Sequence, residues 1–187
     1  MKNLLKPCFS ALMMGSLLFA STSCKDDEPD PVPEAEQELI TTVTINLVPD
    51  GKGQNATVIY EDLDGDGGTA PEIGTLTLAP NTTYNFNITL SDDSKTPPVN
   101  IGAEVLAEGD EHEFFFAPSE GLDLDVQKTD IDKNNRPIGL AGTMVTGAAS
   151  AGTLKVTLKH QEGLKGSTSD ITKGETDVEI DFQTIIQ

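Results

Sequence analysis

Thr83-Tyr84-Asn85-Phe86-Asn87-Ile88-Thr89-Leu90 alternates polar and apolar side chains without a break over eight residues. A period of two places Tyr84, Phe86, Ile88 and Leu90 on one face of a pleated strand and the Thr and Asn residues on the other, which is the pattern of a half-buried strand. The same period recurs outward in both directions. Val43, Ile45 and Leu47 carry it before this segment, as do Leu76 and Leu78; Leu122, Leu124 and Val126, then Leu154, Val156 and Leu158, then Val178, Ile180 and Phe182 carry it afterwards. Residues 57–60 and 114–116 are continuously apolar and predict central strands covered on both faces. Residues 138–145 complete a set of about nine strands.

Turn chemistry separates the strands: Asp50 with Gly51, Gly65 to Gly68, Pro80 with Asn81, Asn134 with Asn135, and the stretch from Gly163 to Gly174. Helical spacing is confined to residues 101–108. The expected fold class is therefore all-β, an antiparallel two-sheet β-sandwich of the immunoglobulin-like, Greek-key type with at most one short helix.

The amino terminus reads differently. Lys2 and Lys6 precede an apolar run over residues 9–20, followed by Ser21, Thr22, Ser23 and Cys24. A basic start, a short apolar run and small residues before a cut describe a secretory signal peptide, and the run is shorter than the ~20 apolar residues a bilayer span needs. A small residue directly before cysteine resembles the lipobox of bacterial lipoproteins, which implies lipidation of Cys24, although Ser21 stands where that family favours leucine. Lys25-Asp26-Asp27-Glu28 resembles the lysine-plus-acids surface-export signal of some Gram-negative lipoproteins. The expected organisation is a signal peptide over residues 1–23, a lipidated Cys24 with an acidic, proline-rich tether over residues 24–38, and a single domain over residues 39–187. Pro29, Pro31 and Pro33 fix the backbone of that tether in extended form. The expected address is the outer membrane, facing the cell surface, with a periplasm-facing orientation as the alternative.

Composition narrows the function classes. Roughly 160 residues follow the cleavage point, enough for one domain with a real core. The formal charge of −19 becomes more negative still once Lys2 and Lys6 are removed. Such a surface repels phosphate backbones, so nucleic acid is not an expected partner, whereas cations or a basic surface are. Cys8 goes with the signal and Cys24 takes the lipid, so the folded domain has no thiol for a disulfide, a metal or a nucleophile.

The strongest local signal for chemistry is Asp62, Asp64 and Asp66 in EDLDGDGG. Carboxylates at every second position, with glycines that let the loop fold back, supply hard oxygen ligands for Ca²⁺. The twelfth position of an EF-hand loop would here be Ile73, with Glu72 one place early, so an EF-hand is rejected. An Asp-rich calcium loop between strands, drawing on Asp62, Asp64, Asp66 and Glu72, is the expected site; the competing reading is a soluble acidic turn. Asp130, Asp132 and Asn134 repeat the alternation weakly, with Asn135 able to turn left-handed, and are read as a turn. His112 lies just before the aromatic strand, and His160 continues the apolar face of Leu154, Val156 and Leu158. Together, and with Glu111 or Glu113, they are candidate ligands for a transition metal or haem; the competing reading is an ordinary hydrogen bond at each strand end.

No Gly-x-Ser-x-Gly elbow, His-Glu-x-x-His helix or phosphate loop occurs, and no acid pair is placed as in a glycosidase, so an enzyme is not expected. EDLDGDGG, DEHEFFF and LKHQEG together resemble an uncharacterised group of exported lipoproteins encoded beside TonB-dependent outer-membrane receptors. That resemblance implies a binding module that captures a metal, haem or other ligand for a transporter. The alternative is a structural or adhesive surface domain with a calcium-stabilised loop.

Overall fold

A computed structural model describes residues 39–65 and 67–187; the expected signal peptide, Cys24, the expected tether and Asp66 lie outside the described residues. The described chain is a two-sheet β-sandwich. In chain order it contains β1 (Thr42–Pro49), β2 (Ala56–Glu61), β3 (Glu72–Ile73), β4 (Thr75–Leu78) and β5 (Thr83–Ser91), followed by α1 (Ile101–Ala107) and β6 (His112–Pro118). β7 (Leu124–Lys128), β8 (Ala141–Thr146), β9 (Ser150–His160) and β10 (Glu175–Ile186) complete it. One sheet has the order β3-β2-β1-β5-β8-β7 and the other β4-β10-β9-β6.

The period of two explains the packing. Val43, Ile45 and Leu47 of β1 stand opposite Leu90, Ile88 and Phe86 of β5. In the second sheet Ile180 and Phe182 of β10 stand opposite Val156 and Leu154 of β9. All ten side chains are buried in one core shared by the two sheets. A slip of one residue would turn each apolar set to solvent, so the alternation fixes register as well as burial.

Three features depart from the sequence reading. Every pairing between strands is antiparallel except that of β4 with β10, which is parallel, with Leu76 beside Thr184 and Leu78 beside Ile186. Residues 57–60 are not covered on both faces. β2 is flanked on its outer side by the two-residue β3 alone, and Val58 is buried while Ile59 is 45% exposed. The aromatic run likewise lies in an edge strand, β6, which pairs with β9 only. Phe114 is fully buried, Phe116 packs against the core from a half-buried position, and Phe115 lies under the Lys128 ammonium, 4.8 Å from its ring centre. Continuous apolarity here marks a protected edge rather than a central strand.

Connections supply that protection. The chain between β7 and β8 crosses to the second sheet, where the Phe114 N–H donates to the Ile138 carbonyl at 2.7 Å. It then returns to the first sheet, and the Ile88 N–H donates to Leu140 at 2.7 Å. α1 links the sheets at the same end and buries Ile101 and Val105. Its first turn is capped by the Asn100 side chain, which accepts from the Ala103 N–H at 3.2 Å. Asn100→Ala should therefore cost about 1 kcal/mol of stability, a typical value for a lost N-cap, read as a lower urea midpoint with unchanged slope.

Candidate functional site

The Asp-rich loop joins β2 to β3 at the rim of the six-stranded sheet. Gly65 has φ 69°, the left-handed conformation that lets the chain reverse after Asp64. At Gly68 a Cβ would stand 2.3 Å from the Asp64 carboxyl carbon, so a side chain there would push the Asp64 carboxylate from its place. The loop thus closes on Asp64, whose Oδ2 accepts from the Thr69 N–H at 2.9 Å. That backbone bond is the main cause holding the Asp64 carboxyl below its ordinary range, with the Thr69 hydroxyl and Asp62 adding to it.

Around this turn lies a cleft of about 280 Å³ lined by Glu61, Asp62, Asp64 and Glu72 together with Leu63, Thr69 and Ala70. Glu61 and Glu72 are directly opposed in the β2–β3 pairing. Like charges facing across a ladder destabilise it. Asp62 Oδ2 accepts from the Tyr60 hydroxyl at 3.3 Å, whereas Asp62 Oδ1 is shielded from solvent and has no hydrogen-bond partner among the described residues. Among the described residues no three acidic or histidine side chains are grouped closely enough to hold one metal ion. A cation would have to draw these carboxylates inward. The fourth predicted ligand, Asp66, lies outside the described residues.

The two histidines do meet, at the opposite-running ends of β6 and β9, where His112 is paired with His160. Their rings are stacked, with centroids 4.4 Å apart and planes 13° from parallel. Imidazole lone pairs lie in the ring plane, so stacked rings aim them side by side and not at a common point. Each ring has its own acidic neighbour: His112 Nε2 is 3.8 Å from Asp177 Oδ2, and His160 Nε2 is 3.7 Å from Glu111 Oε2. His112 Nδ1 also lies 3.2 Å from the Glu108 carbonyl, the ordinary strand-end hydrogen bond weighed above. Glu113 points to the other face, where its buried carboxylate meets the Lys128 ammonium and the Ser169 hydroxyl.

Sequence reasoning did not find the charges that surround this end of the sandwich. Asp132, read as a turn residue, is buried, and the turn is real: Asn135 has φ 60° and its N–H donates to the Asp132 carbonyl. Its carboxylate faces Lys165, a buried lysine from the β9–β10 connection, at 3.3 Å. Gln161 ties that connection down by donating to the carbonyls of Asp170 and Lys173. The one sequence clue was the presence of Asp and Lys among turn residues, which is normal on any surface.

Comparison of the chain with family models, with curated proteins and with solved structures gives no match in any of the three. The functional reading therefore rests on the geometry above and on the amino-terminal motifs.

Proposed function

We propose that the chain is a lipid-anchored, outer-membrane binding module that presents the acidic cleft between β2 and β3 to the exterior and takes a hard divalent cation, Ca²⁺, there. The observation that carries this reading is Asp62 Oδ1, an oxygen withdrawn from water without a hydrogen bond among the described residues to compensate. Burying an acceptor unpaired costs on the order of 1–3 kcal/mol, and a bound cation would repay that cost. Glu61 and Glu72 add a second reason, since a cation between them would turn a repulsive pair into a bridged one. Capture of a transition metal or haem by His112 and His160 has less geometric support, because the stacked rings do not converge. Service to a TonB-dependent receptor remains the partner implied by the resemblance. The structural or adhesive reading is favoured by the same Glu61–Glu72 opposition, because a cation there would stiffen the end of the sheet.

Calcium titration of the melting curve tests the site. At a concentration ~100 times the dissociation constant, a ligand bound only by the native state adds about 2.7 kcal/mol, several degrees for a domain of this size. Magnesium should give less, since it demands tight octahedral geometry and releases water reluctantly. Asp62→Asn combined with Asp64→Asn should erase the calcium shift while leaving the apo melting temperature the same or higher. A wild-type melting curve unmoved by millimolar calcium would reduce the cleft to an acidic turn.

A further inference from the structure

We propose that Lys165 and Asp132 are the two ends of an intramolecular isopeptide bond, which the folded chain forms by condensing its own ammonium and carboxylate. The two residues lie on different connections, β9–β10 and β7–β8, and the fold brings them together in its interior. Both side chains are 1% exposed, and Lys165 Nζ lies 3.3 Å from Asp132 Oδ2.

The surroundings of each group suit acyl transfer. Lys165 Nζ donates to the carbonyls of Gly109 at 2.5 Å and His112 at 2.9 Å. Two of its three hydrogens are thus committed, which leaves the third position to the Asp132 carboxyl. When that third proton passes to Oδ2, the nitrogen gains the lone pair with which it can attack Cγ, the carbon that bears Oδ2. Asp132 Oδ1 accepts from the backbone N–H groups of Asn134 at 2.7 Å and Arg136 at 2.9 Å. Two preorganised donors on one oxygen are what stabilises the oxyanion of a tetrahedral adduct. Oδ2, the oxygen that must leave, meets the Lys165 ammonium and accepts no other hydrogen bond among the described residues.

The step balances without a further reagent. The Nζ–Cγ bond forms and the Cγ–Oδ2 bond breaks. Of the three ammonium protons, one stays on the amide nitrogen and two depart with Oδ2 as water. Burial pushes the Lys165 ammonium down, despite the opposing pull of Asp132, which makes the neutral nucleophilic amine more accessible. Burial acts most strongly against the Asp132 carboxylate, but the Arg136 and Asn134 N–H groups together with Lys165 outweigh it and hold that carboxyl below its ordinary range. The resting pair is therefore ionic, and reaction passes through its less populated neutral form. The product replaces two buried charges by one neutral amide and releases one water. It would also give a covalent tie to a domain that has no cysteine beyond Cys24.

Peptide mapping of the purified, folded full-length chain tests the bond. Trypsin does not cut after an acylated lysine, so residues 129–133 should emerge joined to residues 160–173, lighter than the two peptides together by one water. Lys165→Arg should release residues 129–133 unlinked. Recovery of residues 129–133, 160–165 and 166–173 as separate peptides from wild-type protein that melts cooperatively would overturn the proposal. So would dehydration confined to residues 129–133 with a free Lys165, which is internal aspartimide, or a cross-link that survives Lys165→Arg.

Discussion

Lys165→Met is expected to lower the unfolding free energy by about 3–5 kcal/mol, the cost of removing one partner from a buried ion pair. The methionine fills a comparable volume, so the loss is electrostatic and does not arise from a cavity. Asp132 would keep its two backbone donors but lose its counter-ion, and the carbonyls of Gly109 and His112 would lose their lysine donor. Those carbonyls flank the start of β6, so the damage should spread to the His112–His160 end of the second sheet. Urea unfolding followed by far-UV circular dichroism measures the loss. Hydrogen exchange should show the amides near the start of β6 and the end of β9 opening first. A loss below about 1 kcal/mol would mean that water reaches the pair and that these groups are not buried as the structure has them. The figure refers to the ion pair; where the amide has formed, the variant removes a covalent tie instead.

This end of the sandwich also shows where reading the sequence stops. Val43, Ile45 and Leu47, or Val178, Ile180 and Phe182, declare their strand and their inner face because alternation is a local property of a few residues. The same pattern extends unannounced to Thr184 and Ile186, which are buried at the end of β10. Partner identity is not local. Nothing around Leu76 and Leu78 indicates that β4 joins the second sheet parallel to β10, and nothing in Phe114-Phe115-Phe116 separates a central strand from a protected edge. The acidic loop was legible because Asp62 and Asp64 are near neighbours in the chain and glycines have a specific backbone role. His112 with His160, and Asp132 with Lys165, are separated by whole strands. Each residue alone looked like an ordinary strand end or turn, and only the folded register turns them into a stacked pair and a buried pair.

Cys24→Ala should release the protein from membranes and abolish its labelling by a fatty-acid probe. Among the described residues no helix is long and apolar enough to cross a bilayer. Ile45, Leu47, Leu154 and Phe182 are fully buried in the core of the sandwich. A chain with formal charge −19 is repelled by anionic lipids, which disfavours attachment through the domain surface. Each buried methylene of an acyl chain contributes about 0.8 kcal/mol, and one chain gives only reversible binding, so the two or three chains of a lipoprotein cysteine would supply the anchor. Fractionation and acyl labelling of wild-type and Cys24→Ala cells read the difference directly. Replacing Lys25, Asp26, Asp27 and Glu28 by neutral residues separates anchoring from surface display. Labelling should persist while protease accessibility on intact cells falls. A Cys24→Ala protein that stays in the membrane fraction would show that the attachment lies elsewhere. Unchanged accessibility after the four-residue replacement would leave the lipid anchor standing and assign the acidic run to the tether alone.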